Sequence, residues 1–218
     1  MYETFEKLPE SKKKQIIQVC IEEFAKNGYA NTSTNTIVKR LGISKGLLFL
    51  YFTSKKHLYL YLVEYLTDII VDEFFQVSKT GSQLASSVVF DNLGEFYKTL
   101  LQRNPYYILF MLEAFMNTPM EIRADVNEKH EGAHNHIMEH LDTTGFRKGV
   151  DPQAVVDLLH LSSFHIGQLL LKDFSNIEDF EKEAMGKNIQ TYLDMFSKCM
   201  DIIKFGVYED RPPEFLTF

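Results

Sequence analysis

The sequence predicts an all-α protein: an N-terminal three-helix helix-turn-helix head followed by a C-terminal antiparallel helical bundle, about nine helices in all. Three observations carry the prediction. Apolar residues recur at spacings of three and four along most of the chain, Ser, Asn, Gly and Pro stand where that pattern starts and stops, and no stretch alternates as a strand would. With 218 residues, 45% of them hydrophobic, the chain can bury one large core or a small and a larger one.

In residues 10–27, Ile16, Ile17, Cys20, Ile21, Phe24 and Ala25 form one apolar face, and Gly28 ends the helix. A polar link leads to two short helices, 34–41 and 45–51. Ser33 or Thr34 is placed to cap the first, Gly42 to close it in the left-handed conformation, and Ser44 to cap the second. Two short helices joined by a glycine turn are the layout of a DNA-reading helix-turn-helix. Ile37, Leu41, Ile43, Leu48 and Phe52 fall on its inner side, which leaves Lys45, Gly46, Leu47, Phe49, Leu50 and Tyr51 to face outward.

Ser54 caps a long helix over 55–78. After a loop at 79–81, helices at 83–103, 105–117 and 119–142 are separated by Asn104-Pro105 and Thr118-Pro119, each proline suiting the first turn of the helix it opens. A glycine-bearing loop over 143–152 precedes two long apolar-faced helices, 152–172 and 178–205. Residues 209–218, with Pro212-Pro213, form an extended tail.

The net charge of -7 conceals a split. Residues 1–56 carry ten Lys and Arg against five Asp and Glu, a balance of +5, and residues 57–218 carry thirteen against twenty-five, a balance of -12. Only the head is suited to approach a polyanion. No apolar run reaches the roughly 20 residues of a membrane span. Glu3, Glu6 and Glu10 among the first lysines do not suit a secretory leader, so a cytoplasmic chain with no membrane partner is expected. Cys20 and Cys199 read as small core residues, and neither belongs to a Cys-x-x-Cys pair.

His130 and His134, like His136 and His140, are four apart and could share a helix face toward one ion; Glu131 and His134 make a Glu-x-x-His step. A di-iron bundle needs two such steps and two further glutamates, and the nearest second candidate is Asp157 with His160. The polar stretch around these histidines reads as an exposed helix face, so no metal, cofactor or catalytic residue is assigned.

Phe96, Tyr97, Tyr107, Phe110, Met111, Phe115, Phe164 and His165 are candidates for lining a ligand cavity, although such residues at helical spacing also make a plain core. If they line one, a largely apolar or aromatic ligand suits them. Leu158, Ser162, His165, Ile166 and Leu169 on one of the last two helices, and Leu193, Phe196 and Met200 on the other, form apolar stripes. Such stripes pack either within a chain or against a second copy.

Within about the first quarter of the chain, Phe24-Ala25-Lys26-Asn27-Gly28-Tyr29, Thr32-Ser33, Ile37-Val38, Gly42-Ile43-Ser44-Lys45-Gly46, Tyr51-Phe52 and Ser54-Lys55 follow one another. In this combination the head resembles the TetR family of bacterial transcriptional regulators. The resemblance implies a homodimer that binds a double-stranded DNA operator through residues 1–54. It gives residues 55–218 to ligand binding and dimerisation, with a small-molecule effector that releases a repressor. It implies phosphate contacts from Ser33, Thr34 and Lys55, and contacts to phosphate or base from Ser44, Lys45 and Gly46. Leu47, Phe49 and Tyr51 match the groove-facing positions.

Two residues depart from the family pattern. Phe49 stands where a tyrosine is common, and Leu50 where an aromatic or histidine is common, so the recognition surface is unusually apolar. Contact with thymine methyl groups, and hence an A/T-rich operator, would suit it. A regulator is the leading expectation, and an enzyme is not expected. A ligand-binding protein whose head has lost DNA binding, and a metal-dependent helical bundle, stay open beside it.

Overall fold

A computed structural model describes residues 2–80, 83–144, 146–173 and 187–207. Among them run ten helices: α1 Glu3–Glu6, α2 Glu10–Asn31, α3 Thr34–Leu41, α4 Lys45–Phe52, α5 Lys55–Ser78, α6 Ser86–Arg103, α7 Pro105–Met116, α8 Met120–His140, α9 Pro152–Asp173 and α10 Lys187–Val207. The expected all-α class holds. The start of the last helix expected at 178–186, the tail 209–218 and the glycines at 81 and 145 lie outside the described residues.

Two readings are corrected. Residues 83–85 and 141–142, expected in helices, form strands β2 (Gln83–Ala85) and β3 (Leu141–Asp142), joined by β1 (Lys79–Thr80). In this small sheet β1 pairs antiparallel with β2, and β2 parallel with β3, with Leu84 opposite Leu141. The β2–β3 pairing is non-local and all three segments are two or three residues long, so no period of two could mark them. Pro119 precedes α8 instead of sitting in its first turn, and its carbonyl accepts from the Ile122 amide.

The chain packs as two compact units, Met1–Ile69 with Asn104–Ala133, and Ile70–Arg103 with His134–Phe218. In the first, α2 packs on both α3 and α7. Gly28 breaks α2 at φ 67, where the expected helix end falls, and a short further turn runs to Asn31. Asn104 caps α7 by accepting from the Tyr106 amide at 3.1 Å, and its own amide donates to Gln18 at 2.8 Å, which ties α7 to α2. Phe24, Tyr59 and Phe110 meet at ring separations of 5.0 to 6.3 Å and form the centre of this core. Helix α1, which the sequence pattern did not suggest, inserts Phe5 beneath α4 with no exposed surface.

In the second unit α10 packs on α6 and α9. Tyr97 meets Phe196 edge-on at 5.1 Å, and Phe74 meets Phe96 at 6.1 Å. Cys20 is buried and Cys199 half-buried, both as free thiols. No described helix is long and apolar enough to cross a membrane.

Candidate nucleic-acid interface

The turn between α3 and α4 is built as the sequence reads. Gly42 takes φ 64 and ψ 31, so the Ile43 amide can return to the Val38 carbonyl at 3.1 Å and close the helix end. Ser44 then opens α4, its hydroxyl accepting from the Leu47 amide at 3.1 Å. Ser33 occupies the corresponding position before α3 but makes no side-chain cap bond, so its expected capping bond is not formed. Entry to α3 is fixed by buried Thr32, whose hydroxyl meets the Gly28 carbonyl at 2.7 Å and the Glu23 carbonyl at 3.1 Å.

Helix α4 has an inner and an outer side. Leu48 and Phe52 are fully buried, Leu47 and Phe49 half-buried, and Leu50 is 62% exposed. Tyr51 corrects the expected surface: it is buried, its ring edge-on to Phe5 at 5.7 Å. The helix-turn-helix pattern leaves that side of α4 open, and α1 covers it. Ser44, Lys45 and Gly46 are all exposed at the N-terminus of α4, where unbonded amides favour an anion. At the other end Thr53 adopts φ 64, a strained conformation for a β-branched residue, and stops α4 before α5 begins. Ser54 caps α5 by accepting from the His57 amide at 3.1 Å.

Ion pairs sort the head's cations. Arg40 reaches Glu22 at 2.5 Å and Glu23 at 2.8 Å, binding α3 to α2. Burial would raise the Glu22 carboxyl, but hydrogen bonds from Arg40 and Gln18 outweigh it and hold the group below its usual range. Lys7, Lys13 and Lys56 also pair with carboxylates. Among the described residues none pairs with Lys39 or Lys45, both exposed; Lys45 lies 5.8 Å from the centre of the Phe49 ring. Lys55 donates to the Ala30 carbonyl at 3.1 Å and lies 4.8 Å from the centre of the Tyr29 ring. Burial pulls its pKa below the ordinary lysine value against an opposing pull from Glu121.

The candidate ligand-lining residues are divided between the units. Tyr107, Phe110, Met111 and Phe115 lie in the first, where Phe110 belongs to the aromatic core and Phe115 meets His130. Phe96, Tyr97, Phe164 and His165 lie in the second; Phe96 is buried, whereas Phe164 and His165 are exposed.

The dimer candidates separate by helix. Leu193, Phe196 and Met200 of α10 are buried within the chain, as is Ile166 of α9, which removes them from an outer stripe. Leu158, Leu161 and Phe164 of α9 and Ile202 of α10 are exposed instead, and Ser162, Leu169 and His165 range from half-buried to exposed. Leu161 and Ile202 were missed because periodicity shows that a helix has an apolar face, not which of two apolar faces is covered. An apolar groove of ≈ 490 Å³ runs between Val150–Ser162 and Cys199–Val207. Among the described residues, one group of three metal-capable side chains lies together, His136, Glu139 and His140.

Residues 16–62 match the model of bacterial regulatory proteins of the tetR family. The chain is 27% identical over 113 residues to the HTH-type transcriptional regulator YerO of Bacillus subtilis (strain 168), covering 51% of this chain and 39% of that protein. It is 24% identical over 194 residues to IcaR, the HTH-type negative transcriptional regulator of the biofilm operon icaADBC in Staphylococcus aureus (strain Newman), covering 85% of this chain and 99% of IcaR. The fold is similar to that of the transcriptional regulator FadR from Bacillus subtilis in complex with stearoyl-CoA, at TM-score 0.64 and 15% identity over 89% of this chain and 99% of that one.

Proposed function

Because residues 16–62 match the model of the tetR family of bacterial regulatory proteins, we propose that this chain is a cytoplasmic, dimeric repressor of the TetR family. It binds a double-stranded DNA operator and leaves it on taking up a small, largely apolar or aromatic molecule. The observation that carries the DNA reading is the capped α3–α4 turn, with Lys39 and Lys45 without a carboxylate partner among the described residues and Leu50 exposed. Residues 1–54 read DNA and residues 55–218 take the ligand and the partner copy.

On this reading Ser33, Thr34, Ser44, Gly46 and Lys55 meet phosphate. Lys39 adds a phosphate contact, Lys45 meets phosphate or base, Leu47, Phe49 and Leu50 meet the major groove, and buried Tyr51 supports α4 from behind. Two recognition helices read successive grooves only when held about 34 Å apart. The exposed apolar residues of α9 and the groove beside α10 supply a surface for a second copy. A ligand that alters the spacing between heads lowers affinity without touching DNA. IcaR is a negative transcriptional regulator, which supports repression. The stearoyl chain of the stearoyl-CoA in the FadR complex supports an effector with a largely apolar part.

A gel shift with the DNA upstream of the protein's own gene tests the reading. A retarded complex at low salt is expected, and no complex there would refute it. Exposed Leu50 with half-buried Leu47 favours thymine methyl groups. Site selection from random DNA should therefore return A/T-rich sequences, and G/C-rich sites would overturn that preference.

A further inference from the structure

We propose that the last turn of α8 binds a divalent transition-metal ion of the zinc class through His136, Glu139 and His140. The site lies outside the DNA and effector readings and does not depend on them. Positions three and four apart share a helix face, all three side chains are exposed, and one ligand atom of each lies within 4.8 Å of the others. A zinc ion with bonds of about 2.1 Å draws such atoms to roughly 3.4 Å apart, a change that exposed side chains can make by small rotations.

Three further features prepare the site. The Nδ1 atom of His140 lies 2.9 Å from the His136 carbonyl. Donation there selects the tautomer whose Nε2 carries the lone pair an ion needs, the arrangement that orients histidine ligands in metal sites. Phe75 backs both imidazoles, at 4.9 Å from His136 and 5.4 Å from His140, which reduces the rotamer freedom lost on binding. The turn is also the C-terminal end of a 21-residue helix, where exposed carbonyls concentrate partial negative charge and favour a cation.

The donor set selects the ion. Two imidazoles and one carboxylate suit Zn²⁺, Ni²⁺ or Cu²⁺, with water completing the coordination, whereas Mg²⁺ and Ca²⁺ prefer oxygen alone. The other histidines of this helix are turned elsewhere. His130 meets Phe115, and His134 meets Gln153 and His160. An ion bridging positions 136 and 140 would staple the turn that leads directly into β3.

The test is calorimetric titration of the full chain, prepared without a polyhistidine tag and stripped with chelator, using zinc chloride and, separately, magnesium chloride. About one Zn²⁺ per chain and no Mg²⁺ uptake are expected. His136→Ala and His140→Ala should each weaken zinc binding by at least about tenfold, and the double variant should lose it. Glu139→Gln should give a smaller loss, and His134→Ala should bind as the parent does. Zinc should raise the melting temperature of the parent and not of the double variant. Because the three side chains are exposed, circular dichroism should match that of the parent. Absence of saturable zinc uptake, or wild-type affinity in the double variant, would overturn the proposal.

Discussion

Phe5 gives the sharpest test of how the recognition helix is held. It is fully buried and meets Phe52 at 4.6 Å, Tyr61 at 5.3 Å and Tyr51 at 5.7 Å, although α1 itself spans only four residues. So short a helix contributes little of its own, and its place depends on this ring. Removing a buried phenylalanine side chain costs about 3–5 kcal/mol when the cavity persists. Each lost aromatic pair accounts for about 0.5–1.5 kcal/mol beyond area burial. If α1 instead detaches, the cost falls toward the transfer term alone, about 1.5–3 kcal/mol. Phe5→Ala is therefore expected to lose at least about 1.5 kcal/mol in urea denaturation, and Phe5→Leu, which keeps most of the volume, clearly less. Hydrogen exchange should locate the loss, with amides of α4 exchanging at least about tenfold faster in Phe5→Ala. A cost below about 1 kcal/mol with unchanged exchange in α4 would refute the claim that α1 clamps the recognition helix.

The caps and the Arg40 cluster yield further predictions. Ser44→Ala should cost about 1 kcal/mol by thermal denaturation, because it strands the Leu47 amide, while Ser33→Ala, which loses no side-chain cap bond, should be within about 0.5 kcal/mol of the parent. Glu22 is held below the ordinary glutamate pKa in the folded chain, so it contributes stability above that ordinary value, about 4.3, and loses it as pH falls through the lower folded value. Replacing Arg40 by Gln should accordingly flatten the decline in stability below about pH 4, measured by urea midpoint against pH. An unchanged slope would mean that the Arg40 pair does not govern this titration.

Where the fold was legible, the signal was local. Gly42 and Ser44 sit at fixed offsets from apolar positions, and their conformations follow from residues within one turn, so the α3–α4 unit and its caps could be read directly. Asn104-Pro105 was legible for the same reason. Tyr51 was misread because its exposure is decided by Phe5, forty-six positions earlier, and no helical period records a partner at that distance. Leu193, Phe196 and Met200 show the same limit: the apolar face of α10 was evident, but the helices that cover it were not. Helical spacing says least about the candidate effector residues, because aromatic residues at that spacing look alike whether they fill a core, as Phe110 does, or stand exposed, as Phe164 does.

Ion pairing also changes what the head's positive balance means for DNA. The surplus counted along the sequence includes Arg40, Lys7, Lys13 and Lys56, all of which are answered by carboxylates of the chain itself. Lys39 and Lys45 have no such partner among the described residues. Lys55 spends one of its three ammonium protons on Ala30, which leaves two to donate to phosphate. Lys12, Lys14 and Lys26 of α2 also lack a carboxylate partner among the described residues, so the count is confined to the helix-turn-helix and the start of α5. With Lys39, Lys45 and Lys55 each neutralising a phosphate, three cations per head make six in a dimer, and counterion release at about 0.9 per neutralised phosphate gives a slope of log affinity against log salt near -5. Lys55→Ala should reduce that slope by about 1 for each head and weaken all sequences alike. A parent slope steeper than about -8 would mean that cations beyond these three meet the phosphates. An unchanged slope in Lys55→Ala would mean that the Ala30 carbonyl and the Tyr29 ring hold its ammonium away from DNA, leaving it to position α5 against the end of α2.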